Sequence, residues 1–242
     1  MEEEKGGWSI HGIDSNDPSC IHSVDELIMY VNEIGFVPLF HNEIPGYSIE
    51  EHTVATDWWS GNPGRDPWEW RELAARSGKV LYGKIFSGKA GFISREWIPH
   101  FVNYRRDGYD YSALWEDEKA SYLSKKIMDL FDEETELYSF EIKKRAGFGK
   151  NGLKNFDGVV SKLQMQTYLC VRDFRRRKNK AGQEYGWPTA VYVMPELIWG
   201  YDYVTSSYGE APQESYQRIV NHLKKKFPEI DMAQVNNVLS HK

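Results

Sequence analysis

The chain has 242 residues, of which 40% are apolar, 14% aromatic and 27% charged, and its formal net charge is −6. That content excludes a disordered tail protein, and no run reaches the roughly 18 apolar residues that span a bilayer. Residues 1–5 are acidic and lack the basic and apolar regions of a secretory signal, so the expectation is a cytoplasmic protein with no membrane partner.

The charge is unevenly spread. Residues 143–180 hold twelve Lys/Arg against two acids, a local balance of +10, and the remainder of the chain balances at −16. A compact basic stretch on an acidic protein is a candidate polyanion contact whatever the total charge. The two cysteines, Cys20 and Cys170, make neither a disulfide framework nor a Cys-rich zinc site. None of the seven histidines stands in a metal-ligand spacing, and no cofactor or metal is expected. His41, Glu43 and His52 share one Pro-rich segment in which they can converge.

Residues 1–22, Glu-rich and then Gly-, Ser-, Asn- and Asp-rich, read as a flexible tail. A helix follows: Ser23 and Glu26 form a capping box, Leu27, Ile28, Val31 and Ile34 make its apolar stripe, and Gly35 ends it. Residues 36–67 contain four prolines and read as loop. A short helix is expected from Trp68 to about Arg76, then a hairpin of residues 79–86 and 91–94 around Ser87-Gly88-Lys89. A helix over residues 95–105 follows, weakened by Pro99, and then a Tyr-rich loop over 106–113. From Trp115 onward Ala120, Leu123, Ile127, Leu130 and Phe131 recur at helical spacing. Ser139 caps a second helix, residues 147–153 form a Gly/Lys-rich loop, and a third helix covers about 154–168 with Phe156, Val159, Val160 and Leu163 inward. Strands over 169–177 and 185–193, joined by a turn at Asn179 to Gly182, complete a three-helix and hairpin order, which is that of a winged helix. A last amphipathic helix near 213–227 offers Tyr216, Ile219, Val220, Leu223 and Phe227, either to its own core or as a homodimer contact.

The expected fold class is therefore α+β. It comprises a winged helix-turn-helix of three helices plus a two-stranded wing, packed with a mostly helical N-terminal part that contains a small β-hairpin. The expected organisation is a tail (1–22), an N-terminal part that itself reads as a degenerate winged helix (23–114), the winged helix (115–195) and a C-terminal helical extension (196–242).

On the third helix Lys154, Ser161 and Lys162 fall opposite the apolar face and would meet DNA. Lys150 precedes them in the loop. On the hairpin Arg172, Arg175, Arg176, Arg177, Lys178 and Lys180 would contact phosphates. Gly147-Phe148-Gly149-Lys150-Asn151-Gly152 spells G-x-G-x-x-G, but a helix rather than a strand precedes it, so it reads as a turn between helices. A second cluster, Trp58, Trp59, Trp68 and Trp70, reads either as a pocket that stacks a base, with Asp57 or Glu69 as general base, or as an anchor for the Pro-rich loop.

Several runs resemble one family: Val31-Asn32-Glu33-Ile34-Gly35-Phe36, Trp68-Glu69-Trp70-Arg71, Tyr82-Gly83-Lys84 with Gly91-Phe92-Ile93-Ser94, and Leu163-Gln164-Met165-Gln166. Over about residues 24–220 the chain resembles small bacterial AlkZ-related proteins, winged-helix relatives of the AlkZ-type DNA glycosylases that unhook crosslinks. The resemblance implies a DNA partner and a tie to DNA repair and, for an enzyme, base excision by hydrolysis. Enzymes of that superfamily carry a Gln-x-Gln pair after the first helical segment. Here Phe36 to His41 occupy the comparable place, and Gln164 and Gln166 lie at the end of the third helix. Two other readings stand beside DNA repair: a transcriptional regulator, and a winged-helix interaction module whose basic stretch docks an acidic protein.

Overall fold

The computed structural model describes residues 2–5 and 8–240. Met1, Gly6 and Gly7 of the expected tail, and the last two residues of the expected C-terminal extension, lie outside the described residues. The chain divides into two compact units, Met1–Ile98 with Gln217–Lys242, and Pro99–Tyr216.

The first unit starts with antiparallel strands β1 (Glu2–Lys5) and β2 (Trp8–His11). Helix α1 (Val24–Ile34) forms where its cap predicts: Ser23 Oγ accepts the Glu26 N–H, and the Glu26 carboxylate accepts the His22 N–H at 2.7 Å. Its stripe Leu27, Ile28, Val31 and Ile34 is buried. Strand β3 (Phe36–Pro38) follows, then an extended segment broken by short 3-10 turns at Glu50–His52 and Ala55–Asp57. Helix α2 (Pro67–Ser77) has proline at its first position, where the missing N–H costs nothing. Strands β4 (Val80–Phe86) and β5 (Lys89–Ser94) make the expected hairpin. Ser87 and Gly88 both have positive φ, 50° and 76°, as a tight two-residue turn demands. The order β3-β5-β4 is antiparallel throughout, with Phe92 between Val37 and Tyr82. Gly91 is required there, because a Cβ would stand 2.4 Å from the Phe86 ring and 2.7 Å from the Val37 carbonyl oxygen.

After a 3-10 turn at Arg95–Trp97, helix α3 (Ile98–Arg106) leads into the second unit. Next come α4 (Tyr111–Glu116) and α5 (Tyr122–Met128), the latter capped by the Ser121 hydroxyl. Strand β6 (Glu136–Tyr138), α6 (Ser139–Arg145) and α7 (Phe156–Met165) precede the long hairpin of β7 (Cys170–Lys178) and β8 (Glu184–Val193). The turn between them closes through the Gly182 N–H, which donates to the Asn179 carbonyl. Its sheet order is β7-β8-β6, antiparallel, with Tyr192 between Val171 and Leu137. Ile127, Ile142, Phe156, Val160, Leu163 and Val191 are buried in this unit. Short helices α8 (Pro195–Trp199) and α9 (Tyr201–Val204) lead to α10 (Pro212–Lys226).

From Gln217 the chain belongs to the first unit again. Ile219, Val220 and Leu223 are buried, and the Tyr47 and Phe227 rings meet edge-on at 4.9 Å, so the apolar stripe of α10 is covered by its own chain. Helix α11 (Met232–Leu239), capped by Asp231, fixes the loop after β3: Asn237 Nδ2 donates to the Glu43 carboxylate at 2.7 Å. Among the described residues no helix is long and apolar enough to cross a membrane.

The α+β class is as expected, but the winged helix-turn-helix with a mostly helical N-terminal part is not the fold observed. Among the described residues the principal strands are six, in two antiparallel sets of three, rather than one wing and one small hairpin. β6 pairs with β8, which makes the expected wing part of a larger sheet. The N-terminal part contains β3 to β5 and a long segment free of α-helix between β3 and α2, and the expected tail before it holds β1 and β2. The reason lies in strand length. β3 and β6 have three residues each, too few for a period-two pattern, and their partners lie more than fifty residues away.

Candidate nucleic-acid interface

The basic residues read from the sequence fall on the second unit, and the structure separates them by how they are held. Lys150, Lys154 and Lys162 are exposed and Ser161 half-buried, while Phe156, Val159, Val160 and Leu163 on the opposite side of α7 are buried. Lys154 Nζ donates to the Gly149 carbonyl at 2.9 Å and also to that of Lys150, which pins the Gly-rich loop to the start of the helix. Lys143, Lys150 and Lys154 line a cavity of about 370 Å³ at that point, floored by Phe148 and Phe156. The G-x-G-x-x-G run is the expected turn between α6 and α7.

On the hairpin Arg176, Arg177, Lys178 and Lys180 are exposed, and Arg172 is half-buried. The Arg177 guanidinium lies 4.2 Å from the centre of the Phe140 ring. Arg175 is held differently. It is gripped by Glu136 and, at 2.6 Å, by Asp173, and the hydrogen bond to Glu136 keeps its guanidinium charged well above the ordinary arginine range. The hairpin also carries two aromatic rings that the charge pattern does not reveal. Trp187 is 89% exposed and Tyr185 50% exposed, two residues apart on β8. The register shifts between Tyr185 and Thr189, and Gly186 separates the two rings at a φ of 75°, so the strand is bulged where it bares them. Tyr185 stands opposite Arg177 in the register.

In the first unit the Trp-rich cluster is built around one carboxylate. Asp66, fully buried, accepts the N–H groups of Trp59 (3.0 Å), Gly61 (2.8 Å) and Trp68 (2.9 Å). It caps α2 and at the same time closes the loop before it. Trp58 and Trp70 are buried and their indole N–H groups donate to Thr53 Oγ1 and the Pro63 carbonyl, at 2.9 and 3.0 Å. Trp68 is half-buried under the Arg71 guanidinium at 3.7 Å, and Trp59 keeps an exposed edge. The Trp59 and Trp68 centroids are 6.1 Å apart, and Phe40 touches Trp58 and Trp68. Asp57, half-buried, pairs with Arg65 at 3.2 Å, and Glu69 lies half-buried in the first turn of α2. Two of the four indoles thus anchor the loop, Trp68 is covered by Arg71, and Trp59 is the exposed one. The Gln164 side chain is buried and donates to the Val160 carbonyl at 3.3 Å, while Gln166 ends α7, so the two amides do not act as a pair on one helix face.

Fold and site together define an α+β protein with a cationic, aromatic-bearing hairpin on one unit and an indole cluster on the other. The chain belongs to the AlkZ-related family: the family model described as AlkZ related matches residues 21–240, nearly the whole chain. Through that family it is related to the AlkZ-type DNA repair glycosylases. No curated protein and no solved structure matches the chain.

Proposed function

We propose that this protein binds DNA through the second unit. The hairpin cations Arg176, Lys178 and Lys180 contact phosphates, joined by Lys150, Lys154, Lys162 and the polar Ser161 around α7, while Arg172 and Arg177 complete the positive surface and Arg175, paired with Glu136 and Asp173, braces the hairpin. The observation that carries this reading is the hairpin itself, which exposes a run of cations beside a bare tryptophan. Cations neutralise phosphate and release counterions, and an indole stacks on an unpaired or unstacked base.

Fluorescence anisotropy with a labelled duplex at rising salt tests it. Affinity should fall steeply between about 50 and 200 mM salt. The variant Arg176→Ala/Lys178→Ala/Lys180→Ala should bind more weakly and show a salt slope reduced by up to about 0.9 for each phosphate it no longer neutralises. Unchanged binding by that variant removes the hairpin from the interface. Absence of binding to any duplex at low salt overturns the reading altogether, and a shift with an acidic protein instead would favour an interaction module.

The first unit supports base excision as a second reading. Trp59, 37% exposed, offers a surface on which a displaced base could stack, with Trp58 and Trp70 buried in the same cluster. Asp57 and Glu69 are the carboxylates nearest to that cluster in sequence, and of the two Asp57 already serves Arg65.

A further inference from the structure

The cavity between α6 and the start of α7, about 370 Å³ in volume, is walled by a loop that holds its own shape. The Phe148 N–H donates to the Lys143 carbonyl at 2.9 Å, the Leu153 N–H to the Gly147 carbonyl at 2.9 Å, and the Gly149 N–H to the Leu153 carbonyl at 3.1 Å. Gly152 packs so tightly that a Cβ would stand 2.2 Å from the Gly147 oxygen. Lys154 Nζ ties the loop to the helix through the Gly149 and Lys150 carbonyls. Phe148 and Phe156, both buried and in edge contact at 5.4 Å, make an apolar floor.

The rim is charged and underpaired. Nearby cations find carboxylates: Arg145 pairs with Glu134 at 2.7 Å, and Arg175 with Glu136 and Asp173. Lys143 and Lys150 line the cavity with no carboxylate partner among the described residues. Asp157, exposed in the first turn of α7, is the one acid in the described lining. Three lysines against it leave the wall a net charge of +2. Cations gathered at a concave, apolar-floored surface concentrate their field there. A phosphodiester within a strand carries one negative charge, whereas a terminal phosphomonoester carries about 1.5 to 2 at pH 7 and so matches the wall better. The volume is near the lower end of small-ligand pockets, about 300 Å³, which admits one nucleotide end rather than a length of duplex.

We propose that this cavity receives the terminal phosphate of a DNA strand, with Lys143 and Lys150 on its oxygens and the last sugar and base over the Phe148 and Phe156 floor. This deepens the DNA reading above and rests on it. Lys154 is a positioning residue here, because its ammonium holds the loop that carries Lys150. The site makes the protein favour strand ends and nicks over continuous duplex.

The test uses the full chain and three duplexes of one sequence, ending in a 5′-phosphate, a 3′-phosphate or hydroxyls only, with affinity read by fluorescence anisotropy. One phosphorylated end should bind about tenfold tighter than the hydroxyl end, as charge-assisted hydrogen bonds to an added dianion allow. The preference should shrink at about pH 5.5, where the monoester loses most of its second charge. Lys143→Ala should remove most of the preference. Asp157→Asn should enlarge it, a gain that an unfolded variant does not give. Thymidine 5′-monophosphate, which carries the group without a duplex, should compete only at about 1 mM or above, because it lacks the contacts of the strand behind it. Equal affinity for all three ends overturns the assignment and leaves the DNA reading standing, as does a preference that Lys143→Ala retains. Erasure of the preference by micromolar thymidine 5′-monophosphate overturns it in favour of a free nucleotide. A protein that binds no duplex fails the DNA reading, and the assignment falls with it.

Discussion

Asp66 shows how much one side chain decides in this protein. It is fully buried, and its two oxygens satisfy three backbone N–H groups from both sides of a turn. One of these bonds is an ordinary helix cap, worth about 1 kcal/mol. The other two hold Trp59 and Gly61, whose amides would be left without acceptors if the carboxylate were removed, at about 1 kcal/mol or more each. Asp66→Ala should therefore cost about 3 kcal/mol in urea denaturation. Asp66→Asn keeps one acceptor oxygen and should cost less. Asp66→Ala should also loosen Trp59, which is held at a positive φ of 55° that a large side chain rarely adopts, and shift its fluorescence toward that of solvent-exposed indole. Equal stability of wild type and Asp66→Ala would show that the loop finds other acceptors. The residue scale is also where the sequence is most opaque. His11 Nδ1 lies 3.1 Å from Glu50 Oε1 although the two residues are 39 positions apart, and no local period or motif marks either one.

Among the elements, the hairpin of β7 and β8 separates binding from stability most cleanly. Trp187 has almost no buried surface to lose, so Trp187→Ala should leave the unfolding free energy within about 0.5 kcal/mol of wild type. If the indole stacks on a base, the same change should weaken binding to single-stranded or mismatched DNA by about 1–3 kcal/mol. Anisotropy and urea denaturation on one sample check both halves, and a loss of stability equal to the loss of binding would move Trp187 from contact to scaffold. Helices α1, α7 and α10 were legible in the sequence, because each buries one regular face and the burial leaves a repeating pattern, and this hairpin was legible through its turn at Asn179 to Gly182. β3 and β6 were not. Phe36 pairs with Ile93 and Leu137 with Tyr192, contacts made by closing long stretches of chain rather than by any local preference. The winged-helix expectation failed for that reason: helix order and a hairpin are local, whereas the number of strands a hairpin joins is not. The expected Tyr-rich loop fared likewise. α4 begins inside it at Tyr111, whose hydroxyl donates to Ser124 Oγ at 2.9 Å. The basic stretch, by contrast, needed only counting, and its exposed members lie where the sequence pattern of α7 and the hairpin placed them.

For the whole molecule, the high aromatic content carries a consequence for stability that the net charge does not. Tyr47, Tyr82 and Tyr168 are buried, and burial raises all three, Tyr82 to about 12 and the other two further. Burial likewise pushes the Cys170 thiol far up. In the unfolded chain these groups titrate near their ordinary values, about 8.5 for cysteine and about 10 for tyrosine. Above those values the unfolded chain has released protons that the folded protein still holds, so the unfolded state binds fewer protons and stability falls as pH rises. The contribution is intact below about pH 8.5 and is lost upward from there, at about 1.4 kcal/mol per pH unit for each group that ionises only when unfolded. Arg105 acts in the opposite sense, because burial pushes it down to about 10 and the unfolded chain then holds the proton the folded one gives up. Four groups against one leave a net alkaline loss. Urea denaturation from about pH 8 to 11 should show a falling midpoint. Tyr168→Phe, which gives up the bond from its hydroxyl to the Tyr109 carbonyl at 2.9 Å, should be less stable at neutral pH and lose less on going alkaline. A midpoint that stays level across that range in the wild-type protein would mean that these hydroxyls reach solvent in the folded state, and that the core of each unit is open around them.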